Sequence, residues 1–367
     1  AEGAEGEGEG GEGERPLDDS YISLAVDLGA GLQAGEDEEP AEELSPEEQA
    51  RLREEIRARM LVNKGGEEGE GEDAAARAAR ARALWPRFEA LTAQLAQELA
   101  EQLRLILEPS LASKLQGDFR TGKRINMKKV IPYIASHFRK DKIWMRRTKP
   151  DKRRYQVLLC VDDSRSMAEN ACGQFALESL TLISRAMSRL EVGELGVVSF
   201  GETGRARSLH DLDQPFSDQA AMDLLGQMAF DQDNTIADRP MVELLDYLRG
   251  VLDEGRQRAS GGHERLQQLV LILADGRFHE KEPLRRAVRD MAEQAGLLVV
   301  FLVLDNPKSS LLDMQSVSFA GGKPTFTKYL DTFPFPYYIL LKDTAALPRT
   351  LADLLRQWFE LTSNTGG

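Results

Sequence analysis

Continuous apolar runs alternate with amphipathic stretches through the second half of the chain. Continuous apolar segments are typical of buried strands, and apolar positions three or four residues apart indicate helices. The pattern predicts strands at 157–161, 194–200, 269–274, 297–304 and 337–341, and helices at 173–190, 217–227, 239–252, 282–294 and 346–361. This alternation predicts an α/β fold, a doubly wound and mostly parallel sheet with helices on both faces. Ligands of such sheets bind beyond the carboxyl ends of the strands.

The first half of the chain follows another pattern. Much of 1–73 consists of Glu and Gly, so we expect a largely disordered acidic linker, with one helix beginning after Ser45. Apolar residues at helical spacing follow in 74–116. We expect Pro86 to break or restart that helix and Pro109 to end it.

Charge divides the chain into blocks of opposite sign. The net charge is −14, yet residues 1–50 hold seventeen acidic side chains and one basic, and residues 119–154 hold fourteen basic and two acidic. Apolar residues within 117–154 predict a basic extension that packs on the domain 155–367. Its densest cluster is interpreted as a nuclear import signal first and an RNA contact second, with a solvated face or pairing with the acidic tail as alternatives. The cluster consists of Arg146, Arg147, Lys149, Lys152, Arg153 and Arg154.

Composition excludes several classes of protein. The longest apolar run, 295–304, is much shorter than the roughly 20 residues of a membrane helix, so we expect no membrane partner. Cys160 and Cys172 are too few for a disulfide framework and are interpreted as reduced thiols. Because the chain starts at Ala1 and not at Met, we expect a segment of a longer protein.

Three enzyme-like or metal-like motifs fail on inspection. A Gly-x4-Gly-Lys stretch at 117–123 is followed by Arg124 instead of Ser or Thr, so we expect no nucleotide. An EF-hand-like start at Asp231 lacks the Gly and Glu that such a loop requires at its sixth and twelfth positions. The strand-end sequence 162–164 lacks the second Asp of an aspartyl phosphatase, because Ser164 stands there. We therefore expect no catalytic residue in this chain.

One group of polar residues at the ends of two predicted strands does match a metal site. The strand 157–161 leads into Asp162-x-Ser164-x-Ser166, and the strand 269–274 leads into Asp275. Oxygens on alternate residues of a tight loop can converge on one point, and strand-end carboxylates at one sheet edge can share a cation. Hard oxygen ligands suit Mg²⁺, with Mn²⁺ or Ca²⁺ as alternatives. Two carboxylates leave a dication able to accept a carboxylate from a partner.

These residues resemble the metal-ion-dependent adhesion site of von Willebrand factor A domains. The resemblance covers 155 to the C-terminus and implies a binding site that is not catalytic. It implies that Ser164, Ser166 and Thr235 are direct ligands and that Asp162 and Asp275 act directly or through water. The polar loop that contains Thr235 varies within the family, and Asp233 and Thr203 are rivals for this role.

Residues 117–150 are similar to the segment before the C-terminal A domain of giant dynein-like AAA+ ATPases that assemble the large ribosomal subunit. This resemblance implies capture of ubiquitin-like domains of WD-repeat assembly factors, through an acidic residue, on pre-60S particles. It also implies an AAA+ ring elsewhere in the same longer chain and a nuclear location, in nucleolus and nucleoplasm. The segment itself, without ATPase motifs, is expected to bind rather than to hydrolyse.

Three other classes of function remain as alternatives. A magnesium or cobalt chelatase subunit also joins an acidic linker to an A domain beside an AAA+ ring, but is expected to lack the 117–150 segment in this form. An extracellular adhesion domain lacks support from a signal peptide or disulfides. A Mg²⁺-dependent hydrolase needs a general base near the metal, for which Asp163 and Glu169 are the nearest candidates.

Overall fold

A six-stranded sheet lies at the centre of the protein in the computed structural model, which describes residues 44–61, 74–107, 116–146, 153–169, 172–190, 193–201, 206–232, 239–259, 265–278, 281–294, 296–306, 310–320 and 323–364. All of these residues belong to the unit Ala34–Gly367. The helices are α1 (Pro46–Leu61), α2 (Ala74–Leu107), α3 (Met127–Ala135), α4 (Arg165–Glu169), α5 (Gly173–Leu190), α6 (Asp218–Gln227), α7 (Arg239–Ala259), α8 (Lys281–Ala292) and α9 (Leu347–Asn364). The strands are β1 (Gln116–Phe119), β2 (Arg124–Ile125), β3 (Trp144–Arg146), β4 (Arg153–Asp162), β5 (Glu194–Phe200), β6 (Arg207–His210), β7 (Arg265–Ala274), β8 (Leu297–Leu304), β9 (Gln315–Ala320), β10 (Lys323–Lys328) and β11 (Tyr338–Leu341).

The central sheet has the strand order β11-β8-β7-β4-β5-β6. Its strands pair in parallel except for β6, which runs antiparallel to β5. The chain builds β5 and β6 on one side of β4 and then crosses to build β7, β8 and β11 on the other side. The point where the order reverses therefore lies between β4 and β7, which is where doubly wound sheets bind ligands. The predicted α/β fold is confirmed.

Alternate residues of the central strands face two separate cores. Leu159 and Val161 of β4 pack in the core that includes α2, α5 and α9. Leu158 and Cys160 pack in the core that includes α7 and α8. Because helices cover both faces, β8 is buried along its whole length, and this explains why its sequence is continuously apolar instead of alternating.

Helix α2 runs without interruption through Pro86, so the prediction that this proline breaks or restarts the helix is wrong. Pro86 is exposed, whereas the neighbouring Trp85 and Phe88 are buried in the same core as α5. An interior proline costs a helix about 3 kcal/mol, and burying two large aromatic side chains contributes about 1.5–3 kcal/mol each. Packing therefore outweighs the lost hydrogen bond, and the apolar face of α2 packs on its own domain.

Helix α1 lies inside the segment that the sequence predicts to be a largely disordered linker. Its first turn is capped reciprocally, since Glu48 N donates to Ser45 Oγ at 3.3 Å and Ser45 N donates to Glu48 Oε2 at 2.8 Å. Ile56 is fully buried, and Arg53 lies 3.5 Å from the buried carboxylate of Glu178 on α5. These contacts make α1 part of the folded unit. The rest of the predicted linker, residues 1–43 and 62–73, lies outside the described residues.

The basic extension forms a small antiparallel sheet of order β1-β3-β2, accompanied by α3. Asn126 caps α3 by accepting a hydrogen bond from Lys128 N. All nine residues of α3 are described and none of them is buried, and Met127 and Ile131 are 75% and 76% exposed. The packing of this extension on the domain 155–367 stays a prediction.

The remaining features are shorter or local. The edge strand β6 and the antiparallel hairpin of β9 and β10 were not predicted from the sequence.

Both cysteines are buried thiols, and Cys172 Sγ donates to Leu304 O at 3.3 Å at the end of β8. Among the described helices, none is both long and apolar enough to cross a bilayer.

Candidate metal centre

The two carboxylates singled out in the sequence lie at the switch point of the sheet. Asp162 is the last residue of β4, and Asp275 directly follows β7, the strand that pairs in parallel with β4. Their exposed fractions are 8% and 7%. The structure therefore places both at the expected edge, between the strands where the order reverses.

The loop after β4 is folded so that its polar side chains gather in one place. Asp162 Oδ1 accepts a hydrogen bond from Ser164 N at 2.9 Å, which turns the chain directly after the strand. Ser164 Oγ and Ser166 Oγ are 2.9 Å apart. Ser164 O accepts from Met167 N at 3.1 Å as α4 begins, and the fully buried Met167 anchors that helix. Two hydroxyl oxygens thus lie side by side next to the end of β4.

The two carboxylates lie close enough for the charge of each to affect the other. Burial first, and then the negative charge of Asp275, raise the pKa of Asp162 to about 7, against the hydrogen bonds from Ser164. Two like charges in a poorly solvated place each disfavour the ionised form of the other. A cation between them would reverse this effect.

Several contacts fix the backbone that carries Asp275. Its Oδ1 accepts from Arg277 N at 3.3 Å, and Arg277 Nε lies 3.9 Å from its Oδ2. Gly276 has a φ of 71°, which favours glycine. Tyr329 donates through its hydroxyl to Gly276 O at 2.9 Å, and the same hydroxyl accepts from Phe278 N at 2.5 Å. The loop after β7 is therefore held by the segment that follows the β9–β10 hairpin.

Asp163 plays a part that the sequence analysis missed. It was considered only as a weak candidate for a general base, yet its carboxylate is fully buried and binds the segment 229–232. Burial raises its pKa to about 6, and the N–H groups of Phe230 and Ala229 act in the opposite direction. The other candidate base, Glu169, is an exposed residue at the end of α4.

The remaining predicted site residues are only partly described. Thr235 and its rivals Asp233 and Thr203 lie outside the described residues. In the basic cluster, Arg147, Lys149 and Lys152 also lie outside the described residues. Arg146 belongs to β3, and Arg153 and Arg154 belong to β4, but the side chains of these three residues are not described. The structure therefore brings together Asp162, Ser164, Ser166 and Asp275.

The donor set determines which ions would fit. Within the described part of the chain, no group of three or more His, Cys, Asp or Glu side chains could hold a metal. A cation at this edge would depend on two carboxylates, two hydroxyls and water. A set of oxygen ligands of which most are neutral is typical of hard divalent cations, whereas structural zinc sites use Cys and His. The residues present fit a hard dication.

The strand order, the Asp-x-Ser-x-Ser loop at the switch point and the carboxylate after the adjacent strand define a von Willebrand factor A-type domain. The particular relatives are midasins. Midasin of Dictyostelium discoideum is 51% identical over 285 residues, which cover 77% of this chain and 5% of that protein. Midasin of Giardia intestinalis is 42% identical over 297 residues, which cover 80% of this chain and 6% of that protein. The chain belongs to the midasin family and spans about one-twentieth of the length of these relatives.

Solved structures with a similar fold are more distant in sequence. Proximal thread matrix protein 1 from the mussel byssus is 16% identical, with a TM-score of 0.34, over 56% of this chain and 48% of that one. BatB from Bacteroides thetaiotaomicron is 14% identical, with a TM-score of 0.33, over 55% of this chain and 98% of that one. No protein-family model matches the chain.

Proposed function

We propose that this chain is a metal-dependent protein-binding module. The residues that would hold the metal are Asp162, Ser164, Ser166, Thr235 and Asp275. The ion we expect is Mg²⁺, with Mn²⁺ or Ca²⁺ as alternatives, and its chemistry is that of a Lewis acid with a position left for a partner's carboxylate. The role is binding, and the chain's own residues are not expected to carry out a reaction.

The observation that carries the proposal is the pair of buried carboxylates at the switch point, beside two adjacent hydroxyls. Asp162 orients the serine loop through its hydrogen bond from Ser164 N. Ser164 and Ser166 present neutral oxygens, so the site adds little negative charge beyond the two carboxylates. A site with this charge balance favours an additional anionic ligand, which is what an acidic side chain of a partner supplies.

The relationship to midasin supports a narrower proposal about partners. We propose that the acidic residue belongs to a ubiquitin-like domain of a WD-repeat ribosome assembly factor on pre-60S particles. The AAA+ ring of the longer chain would then remove that factor, in the nucleus, both nucleolus and nucleoplasm. The fragment would bind the factor, and the ring would supply the force that removes it.

The basic extension is proposed to serve nuclear import, and secondarily contact with ribosomal RNA. Its support is compositional, since fourteen basic side chains fall within residues 119–154. Contacts with phosphates would weaken steeply with salt, whereas recognition of a short peptide by an import receptor depends on side-chain pockets as well. Titration against RNA at two salt concentrations separates the two roles.

Calorimetric titration with a ubiquitin-like domain of a WD-repeat assembly factor, in Mg²⁺ and in EDTA, tests the main proposal. We expect binding in Mg²⁺ that is lost in EDTA and in the variants Asp162→Ala and Asp275→Ala. The control Asp290→Ala changes an exposed carboxylate on α8 and should bind as the unchanged chain does.

The outcomes of this titration differ in what they contradict. Equal binding in EDTA and Mg²⁺ would make the two carboxylates irrelevant to capture. An absence of binding in both buffers would contradict the proposed partner, and the chelatase alternative would then be tested with an AAA+ partner subunit. Unfolding of either alanine variant would identify the carboxylates as structural groups.

A further inference from the structure

Asp163 is a fully buried carboxylate beside the metal centre, and one short segment supplies most of its partners. Asp163 Oδ1 accepts from Ala229 N at 2.9 Å and from Phe230 N at 2.6 Å. Its Oδ2 accepts from Gln232 Nε2 at 2.8 Å, and Arg207 Nη2 lies 4.0 Å from the same oxygen. Both carboxylate oxygens are therefore used in holding the segment 229–232.

The same segment is joined directly to the serine loop. Arg165 N donates to Gln232 O at 2.9 Å, and Ser164 and Gln232 form a parallel bridge. A Cβ atom at Gly201, after β5, would lie 2.8 Å from Ser164 N and 3.0 Å from Gln232 Oε1, so only glycine fits there. Three stretches of chain thus interlock around Ser164.

The turn at Phe230 adopts a backbone conformation that needs external support. Its φ is 52°, in the left-handed region that residues other than glycine rarely occupy. The ring of Phe230 packs closely on Gly173 at the start of α5, where an added Cβ atom would lie 3.2 Å from the ring. The hydrogen bond from Phe230 N to Asp163 and this packing together hold the turn.

We infer that Asp163 is a positioning residue for the cation site, which it serves by fixing the turn 229–232 against the serine loop. The inference rests on the proposed metal-dependent function. Asp163 holds Gln232, and the bridge between Gln232 and Ser164 fixes the place of Ser164. Asp163 is not a ligand itself, because its oxygens are committed to the segment 229–232.

An exchange of the two partners tests this role. In Asp163→Asn, the negative charge that strengthens the hydrogen bonds to 229–232 is lost, and the Gln232 amide must turn over to keep its own bond. In Gln232→Glu, two carboxylates face each other. The double variant Asp163→Asn with Gln232→Glu restores one hydrogen bond with its polarity reversed, while the carbonyl oxygen of the new amide can still accept from Ala229 N and Phe230 N. We expect each single change to weaken Mg²⁺ affinity roughly 10–100-fold, as losses of residues that orient metal ligands do. We expect the double variant to regain affinity to within about threefold of the unchanged chain.

Calorimetric titration with MgCl₂ alone, on the folded chain, gives the affinities, and thermal unfolding in EDTA reports the fold of each variant. Single variants that bind Mg²⁺ as the unchanged chain does would overturn the inference, and so would a double variant that stays as weak as the singles. If Asp163→Asn does not fold, the Gln232→Glu variant and the double variant decide the question. If the unchanged chain binds no Mg²⁺, the proposed function fails, which is distinct from a failure of the role of Asp163.

Amide hydrogen exchange adds a readout that does not require the metal. In EDTA, the N–H groups of Ala229 and Phe230 should be protected in the unchanged chain and should exchange faster in Asp163→Ala. Unchanged protection in that variant would show that Asp163 does not hold the turn. Asp290→Asn, which changes an exposed carboxylate on α8, serves as the matched control and should change neither affinity nor protection.

Discussion

Three aspartates end neighbouring strands at one edge of the sheet, and their hydrogen bonds separate their roles. Asp305, after β8, accepts from Ser310 Oγ at 2.6 Å and from Leu311 N at 2.8 Å, so it has strong partners. Asp162 and Asp275 share the strand edge but repel each other, and burial raises the pKa of Asp162 to about 7. At the residue scale, Asp305 stabilises a turn, whereas Asp162 and Asp275 add a repulsion between like charges that a bound cation would relieve.

Asp275→Asn should therefore stabilise the metal-free protein. Removing one of two like charges relieves their repulsion, and losing the contact with Arg277 offsets part of the gain, so we expect the free energy of unfolding in EDTA to rise by up to about 1 kcal/mol. The same change should remove any stabilisation by added Mg²⁺. Urea unfolding in EDTA and in Mg²⁺ measures both effects.

Asp305→Asn is the matched comparison for this prediction. It has the same chemistry at the end of the adjacent strand, but it weakens two satisfied hydrogen bonds, and we expect a loss of about 1–3 kcal/mol in both buffers. If Asp275→Asn destabilised the metal-free protein as much as Asp305→Asn does, the idea that repulsion between Asp162 and Asp275 lowers its stability would be wrong.

At the scale of elements, packing overrides local preference in α2. Its apolar residues are spaced for a helix, and Phe88, Leu91, Leu99 and Leu103 are buried as that spacing implies. Pro86 lies on the exposed side, where its ring meets solvent instead of the core. The helix therefore keeps a local defect because its other face is held by the domain.

Pro86→Ala should remove that defect. Alanine restores a backbone N–H that can donate within the helix, and it is a better helix former than proline. The greater entropy of the unfolded chain offsets part of the gain, so we expect stabilisation by about 1–2 kcal/mol. Urea unfolding measures it. Arg82→Ala, at another exposed position of α2, should change stability by no more than about 0.5 kcal/mol, and a destabilised Pro86→Ala would mean that the proline ring makes a packing contribution.

Elements buried on both faces were predictable, and strands defined by pairing with a neighbouring strand were not. The run 297–304 was predicted with the bounds that β8 has, since a strand covered on two sides must be continuously apolar. The edge strand β6 is only four residues long, and two of them are exposed, so no local pattern distinguishes it from a loop. The hairpin of β9 and β10 contains Ser, Thr, Lys and Pro, and pairing with each other defines these strands rather than burial periodicity.

The site was predictable to a similar extent. Asp162 and Asp275 could be placed at one edge because each follows an apolar run, and the carboxyl ends of parallel strands coincide. The function of Asp163 could not be found in this way, because its partners Ala229 and Phe230 lie 66 and 67 residues further along the chain. The sequence signal for Asp163 was that it follows Asp162 directly, although a single acidic residue at the end of the strand is enough for a metal ligand.

At the scale of the whole molecule, one core extends across the boundaries that composition suggests. Ile56 of α1, Leu99 of α2, Leu159 of β4 and Trp358 of α9 belong to the same buried cluster. The N-terminal helices are thus a layer of the α/β domain. A shared core implies that α1 and the sheet unfold together.

Ile56→Ala tests this cooperativity. The side chain is fully buried, so its truncation should lower the free energy of unfolding by about 2–5 kcal/mol. Fluorescence of the buried Trp85 and Trp358 and far-ultraviolet circular dichroism should shift together in urea. Glu54→Ala, whose side chain is 73% exposed on the same helix, should leave the midpoint nearly unchanged. A separate early transition for α1, with the main midpoint unaffected, would contradict a shared core.

The reactivity of the two buried thiols can report where the folded protein opens. Cys160 is fully buried two residues before the end of the central strand β4, and Cys172 lies beside the end of β8, hydrogen-bonded to Leu304 O. Burial raises the pKa of both thiols, so neither should react with an alkylating reagent while its surroundings stay closed. If Cys172 is alkylated faster than Cys160, the alkylation rate of Cys172 measures local opening at the strand edge. If both thiols are alkylated at the same rate, that rate measures disruption of the whole sheet.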